Sequence, residues 1–259
     1  MTARILVIAG SDPSGGAGIQ ADLKTAQAFG IYAQTAITAV TVQNTLGVTG
    51  VHVVPPEIVR DQIIACLSDI GADAIKTGML GNAEMVEMVA ATLAEHAPGI
   101  PLVVDPVMVA KGGSPLLEEA AVTALKKKLL PMAALVTPNQ PETEALTGIL
   151  PKSEHRLRNA AMVFKMLRVE NVLFKGGHGE DDIVRDVLWT EGEFFPFEAP
   201  RQTTRHTHGT GCTLATAIAC GLAQKLSLKE AVGRAHAYVQ QAIRTAPGLG
   251  AGHGPLNHA

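Results

Sequence analysis

The sequence predicts an α/β fold with a mostly parallel central sheet, on three observations. Short apolar runs alternate with longer amphipathic ones from end to end. Runs such as VVD, LVT and VLF are nearly continuous in aliphatic and β-branched residues, as strands covered on both faces require. Polar and glycine residues collect just after the runs, in GSDPSGGAG, QN, GM, DP, TPNQPE and KGGH. In an open α/β sheet that position is the ligand-binding edge.

Taken in order, the apolar runs place strands at residues 4–9, 33–42, 74–77, 102–105, 134–137 and 171–175. Amphipathic stretches place helices at 18–29, 56–70, 83–95, 116–129, 142–146 and 154–168. A βαβα order demands right-handed crossovers and helices on both faces of the sheet. The segment DVLWTEGEFFPFEA departs from that order: its alternation around Glu191-Gly192 predicts a small β-hairpin near residues 183–197. Two helices, 211–224 and 228–245, then close the chain ahead of a Gly-rich tail expected to be mobile. No linker, repeat or low-complexity tract interrupts residues 1–259, so one domain is expected.

Composition narrows the class. Hydrophobic residues make up 47% of the 259 and charged residues 17%, enough to fill a large core. The net charge of −3 and the lack of any basic run beyond Lys126-Lys127-Lys128 argue against a nucleic-acid partner. No apolar run is long enough for a membrane span. Three cysteines without a CxxC pair fit a reducing, cytoplasmic setting and argue against both a disulfide framework and a cysteine-based zinc site.

The stretch HTHGTGC carries the chemistry. Gly209 and Gly211 frame Thr210 at the entrance of a helix, where unpaired N–H groups and the helix dipole make an anion hole. Such a hole suits the charge that develops on a transferring phosphoryl group. The same field is expected to lower the thiol of Cys212 below its free value of about 8.5, making it a base toward a hydroxyl; the plain alternative is a small buried residue after a cap. The first loop contains GAGIQA, which matches a dinucleotide fingerprint, but the turn before it is too long and the second strand ends in Gln43 rather than an acid. It reads better as a loop closing over a small substrate, with Asp22 facing back toward it. Asp105 and Glu142 follow strands at one edge, a pair able to hold hydrated Mg²⁺ against phosphate oxygens, although each separately suits a turn or a helix start. Lys175 stands where it can neutralise phosphate. His206 and His208 lack a third metal ligand, so a histidine metal site is not expected.

These motifs, in order over essentially the whole chain (GSDPSGGAGIQADLKT, AVTVQNT, KTGML, DPVMVAKGG, TPNQPE, KGGH and HTHGTGCT), resemble the bacterial hydroxymethylpyrimidine kinase / phosphomethylpyrimidine kinase family of thiamine biosynthesis. The resemblance implies a ribokinase-like αβα sandwich, usually a homodimer. It implies an ATP- and Mg²⁺-dependent kinase acting on 4-amino-5-hydroxymethyl-2-methylpyrimidine and then on its monophosphate. It gives Cys212 the catalytic-base position, with Gly209, Thr210 and Gly211 forming the anion hole, and it puts Gln43, Ala17, Asp22, Met79 and Val107 around the pyrimidine. Asn139 and Lys175 match the nucleotide-phosphate side and Asp105 and Glu142 the Mg²⁺ side. Residues 110–115 are expected to form a mobile loop that closes over substrate. The alternatives are a pyridoxal kinase with the same anion hole, a nicotinamide-linked dehydrogenase, and a catalytically silent pyrimidine-binding protein.

Overall fold

A computed structural model describes residues 2–108, 118–177 and 182–259. Nine strands form one sheet in the order β3-β2-β1-β4-β5-β6-β7-β8-β9. The six central strands are parallel: β2 (Tyr32–Asn44), β1 (Arg4–Ser11), β4 (Ala74–Thr77), β5 (Leu102–Val104), β6 (Leu135–Val136) and β7 (Val172–Phe174). Antiparallel strands flank them, β3 (Gly47–Val53) at one edge and β8 (Ile183–Thr190) with β9 (Glu193–Pro200) at the other. The predicted hairpin is β8–β9. Its turn residues Glu191 and Gly192 both have positive φ, 54° and 80°, the geometry that matches strand twist.

Both faces of the sheet are buried, and alternate residues of β1 serve different cores. Leu6 and Ile8 join one core with helices α2 (Pro56–Asp69), α3 (Ala83–His96), α4 (Glu119–Ala124) and α6 (Glu154–Met166). Ile5, Val7 and Ala9 join the other with α1 (Gly18–Ala28), α7 (Thr210–Ala223) and α8 (Leu228–Arg244). This is why β1 reads as an unbroken apolar run rather than an alternating one. The short helix α5 (Gln140–Thr147) follows β6, capped by Asn139. Strand order reverses at β1, which has β2 on one side and β4 on the other. A crevice opens at the carboxyl ends where the order reverses.

The structure corrects three expectations. Residues 47–53, which no apolar run marks as a strand, form β3, because the ribbon turns at Thr45 and Leu46 and pairs back on β2. The Gly-rich tail is pinned: Leu256 is 3% exposed, His208 bridges to Pro255, and the Asn257 N–H donates to the Ala242 carbonyl. The helix expected from residue 116 runs from Glu119 in the described part, continuing as a wider π turn over Leu125–Leu129. The expected mobile loop at 110–115 lies outside the described residues.

Candidate active site

A cavity of about 760 Å³ opens across the carboxyl ends of the parallel strands. Its lining includes Ala17, Gln43, Met79, Asp105, Val107, Asn139, Glu142, Lys175, Gly209, Thr210, Gly211 and Cys212. All but one of the site residues expected from the sequence therefore converge on one space, from seven different chain segments. The exception is Asp22.

Helix α7 begins at Thr210, after Gly209 in a left-handed conformation at φ 82°. A Cβ on Gly209 would run into the carbonyl oxygen of Gly16, so two glycine loops pack backbone against backbone here. The Thr210 hydroxyl donates to the Thr207 carbonyl at 2.7 Å and locks the entrance. Cys212 is half-buried and faces the cavity. Burial pushes its thiol up to about 11; the Lys76 ammonium and the Gly18 N–H pull it down, while Asp22 and Asp105 add to the rise. The thiol is thus raised rather than lowered as expected, with burial the largest cause.

Asp22 does not face the substrate space. It is fully buried beneath α7, taking the Lys76 ammonium at 3.0 Å and the Thr216 hydroxyl at 2.6 Å. Thr216 stands one helical turn beyond Cys212, so the Asp22–Lys76 pair lies under the first turn of α7. Lys76, wholly buried beside the cavity, is a neighbour of the site for which the sequence reading gives no expectation. Burial works against its charge, but Asp22, Cys212 and Asp105 outweigh it, and its pKa is raised. A lysine inside the apolar run AIKT was the available signal, since a wholly buried lysine requires a partner.

On the other side of Cys212, Lys175 pairs with Asp105 at 2.8 Å and with Glu142 at 3.7 Å. Asp105 Oδ1 also accepts from the Thr137 hydroxyl at 3.0 Å. Asn139 and Glu142 form a capping box that starts α5, the Asn139 N–H donating to Glu142 Oε2 at 2.7 Å. Burial raises the Glu142 carboxyl to about 7, with Lys175 opposing and Asp105 adding. Mg²⁺ fits this set. The donors are hard carboxylate oxygens beside a lysine, and Asp105 Oδ2 is turned toward the open backbone of Gly211, 3.5 Å from where a Cβ would stand. Among the described residues no group of three or more His, Cys, Asp or Glu side chains encloses a metal. A two-carboxylate site completed by waters and phosphates needs no such cage.

Two further regions were missed. Asp12 and His208 stand beside Gln43 at one end of the cavity, and Val184, Asp186, His236, Val239 and Gln240 line the other. Nothing local marks the second group, which tertiary packing assembles from β8 and α8.

A family model of phosphomethylpyrimidine kinase matches residues 12–257. The chain belongs to the phosphomethylpyrimidine kinase family. It is 47% identical to the hydroxymethylpyrimidine/phosphomethylpyrimidine kinase of Haemophilus influenzae, over 98% of this chain and 96% of that one. It is 51% identical, over 98% of its length, to the thiamine biosynthesis bifunctional protein ThiED of Geobacter sulfurreducens, of which it spans about half, 52%. Among solved structures, the pyridoxal kinase of Staphylococcus aureus in complex with AMP-PCP and pyridoxal superposes with a TM-score of 0.90 at 35% identity. That match covers 100% of this chain and 94% of the other. The family's fold is the ribokinase-like αβα sandwich, as the sequence resemblance implied. Within this phosphomethylpyrimidine kinase scaffold, Cys212 lines the same cavity as Gln43, Asp105 and Lys175.

Proposed function

We propose that this chain transfers the γ-phosphoryl group of ATP to the hydroxymethyl group of 4-amino-5-hydroxymethyl-2-methylpyrimidine, and then phosphorylates the monophosphate to the diphosphate. One observation carries the reading: a thiol at a glycine-framed helix entrance opens on a cavity with an amide at one end and a lysine–carboxylate cluster beside it. In this arrangement Gln43, Ala17, Met79 and Val107 hold the ring, and the hydroxymethyl group points at Cys212. The N–H groups at the start of α7 meet the negative charge of the phosphoryl in flight. Lys175 and Asn139 lie on the nucleotide side. Asp105 and Glu142 would hold Mg²⁺, which neutralises charge on the phosphates when bound. Cys212 takes the hydroxyl proton as the new P–O bond forms, with Lys76 the cation that favours the resulting thiolate.

The test is direct. Protein, ATP-Mg²⁺ and the hydroxymethylpyrimidine are incubated and products identified by mass; successive appearance of mono- and diphosphate is expected. Absence of both, with ATP intact, sinks the reading. A second reading, pyridoxal phosphorylation by the same site, is favoured by the fold match to pyridoxal kinases. Competing the two alcohols in one assay ranks them.

The chain is further proposed to act in the cytoplasm as a homodimer. No described helix is long and apolar enough to cross a membrane, and all three cysteines are free thiols. The dimer would form through the β2–β3 ribbon, where Val40, Val42, Leu46 and Val51 are exposed along the sheet edge; Val42 is 65% exposed and Leu46 71%. The outer backbone of an edge strand can pair with the same strand of a second copy.

A further inference from the structure

Residues 252–258 return from α8 to the cavity and bond two of the chain segments that form it. The first is the turn after β2. The Thr45 carbonyl accepts the His253 N–H at 2.8 Å, and the Thr45 hydroxyl accepts the Gly252 N–H at 3.2 Å. A Cβ on Gly252 would run into that same carbonyl, so the two backbones lie in direct contact. The second is the approach to the anion hole. The His208 N–H donates to the Gly254 carbonyl at 3.1 Å, and His208 bridges to Pro255. The His253 ring donates from Nδ1 to the Arg205 carbonyl at 3.1 Å.

A last contact enters α7 itself. The His258 ring lies 3.0 Å from the Thr213 hydroxyl, and both side chains are buried. Its backbone is fixed on either side: Tyr238 donates to the His258 carbonyl at 3.1 Å, and the Asn257 N–H donates to the Ala242 carbonyl at 3.0 Å. Thr213 follows Cys212, and its N–H closes the first turn of α7 on the Gly209 carbonyl at 2.9 Å. Among the described residues, the hydrogen bonds and ion pairs of Asp105, Asn139, Glu142 and Lys175 go elsewhere, none to this tail.

Resting on the kinase reading above, we propose that residues 252–258 are a positioning strap for the acceptor alcohol. They set the distance between the turn beyond Gln43 and the entrance of α7, and His258 acts through Thr213 on the turn that carries Cys212. The nucleotide end is placed independently. Groups carried on two separate loops need such a spacer, because a misplacement of about 1 Å costs on the order of 10²-fold in rate.

The experiment measures kcat and the separate KM values for the alcohol and for ATP. The variants are Gly252→Ala, whose Cβ wedges the strap off Thr45, and His258→Leu and Thr213→Val, which cut one contact from its two ends. Each is expected to raise KM for the alcohol roughly 5–20-fold and to leave KM for ATP within about twofold. His258→Gln, whose amide can donate or accept, should return the alcohol KM to within about threefold of wild type. His258→Leu with Thr213→Val should be no worse than the poorer single variant, since both remove the same link. A merely structural tail lowers the folded fraction, and so kcat, with both KM values unchanged. That result overturns the inference, as do equal rises for both substrates or a double variant whose losses multiply.

Wild-type protein gives a reading that needs no variant to fold. By reciprocity, an alcohol held by the strap must hold the strap. Amide exchange at Asn257, whose partner Ala242 does not line the cavity, should slow about fivefold or more with the alcohol and less than twofold with ATP-Mg²⁺ alone. No slowing by the alcohol, or equal slowing by both, overturns the inference. Failure of wild-type protein to phosphorylate the alcohol is a separate result, which removes the kinase reading and this inference with it.

Discussion

At neutral pH a thiol that ionises near 11 carries its proton, with about one part in 10⁴ present as thiolate. Under the proposed function Cys212 is a base that takes its proton late in the transfer, not a preformed anion. Its alkylation by iodoacetamide is expected to be slow at pH 7 and to rise steadily up to about pH 10, read as modification rate by mass. A plateau already reached by pH 8 would contradict this. Cys212→Ala should slow the first phosphorylation by roughly 10²–10⁴-fold and the second by less, since a phosphate monoester is already an anionic nucleophile; single-turnover rates with the alcohol and with its monophosphate measure the difference. Lys76 is bound to a wholly buried carboxylate, so Lys76→Met leaves Asp22 unpaired in the interior. A loss of about 3–5 kcal/mol in urea unfolding is expected, partly regained in Lys76→Met with Asp22→Asn.

The elements matter here by where they end. Helix α7 is apolar almost all round and could have served only as core, yet its first turn lies at the edge where β1, β4 and β5 also end. The tail after α8 acts as a strap across the same loops. The His253 N–H donates to the Thr45 carbonyl, Tyr238 donates to the His258 carbonyl, and the His258 ring bonds the Thr213 hydroxyl at 3.0 Å. Burial, with Lys24 nearby, holds the His258 imidazole down to about 4. The unfolded chain binds a proton near pH 6.5 and the folded one does not, so stability rises with pH between these values. A contribution on the order of 3 kcal/mol, present above pH 6.5, is lost as pH falls toward 4. Thermal unfolding of the wild type across that window should fall more steeply than that of His258→Asn, and parallel curves would refute the assignment.

At the scale of the whole molecule, β2 carries both of its roles by simple alternation. Thr41 and Gln43 face inward to the cavity, while Val40 and Val42 face out. The proposed dimer thus braces the strand that positions the ring-binding amide. Sedimentation at micromolar concentration should give twice the chain mass, and Val42→Lys should shift it toward the monomer with raised KM for the pyrimidine. A wild type that sediments as a monomer would dispose of the dimer.

The sequence alone determined the alternating order of elements, the doubly covered sheet, the hairpin and the gathering of Gln43, Asp105, Lys175 and Gly209–Cys212 at one edge. It could do so because hydrophobic period and glycine placement act locally along the chain. Three things only the tertiary structure decided. Strand β3, GVTGVHV, has glycine at two of its seven positions, is largely exposed, and is partnered only through β2. The Gly-rich tail has no apolar period, yet it is held by contacts to residues some two hundred positions away, such as Thr45. The third is the state of each polar group: whether Asp22 faces ligand or lysine, and whether the Cys212 thiol is lowered or raised, depends on how much water the fold removes and which charge it leaves nearby. Desolvation and Coulomb pairing are properties of the assembled interior, and no spacing along the chain encodes them.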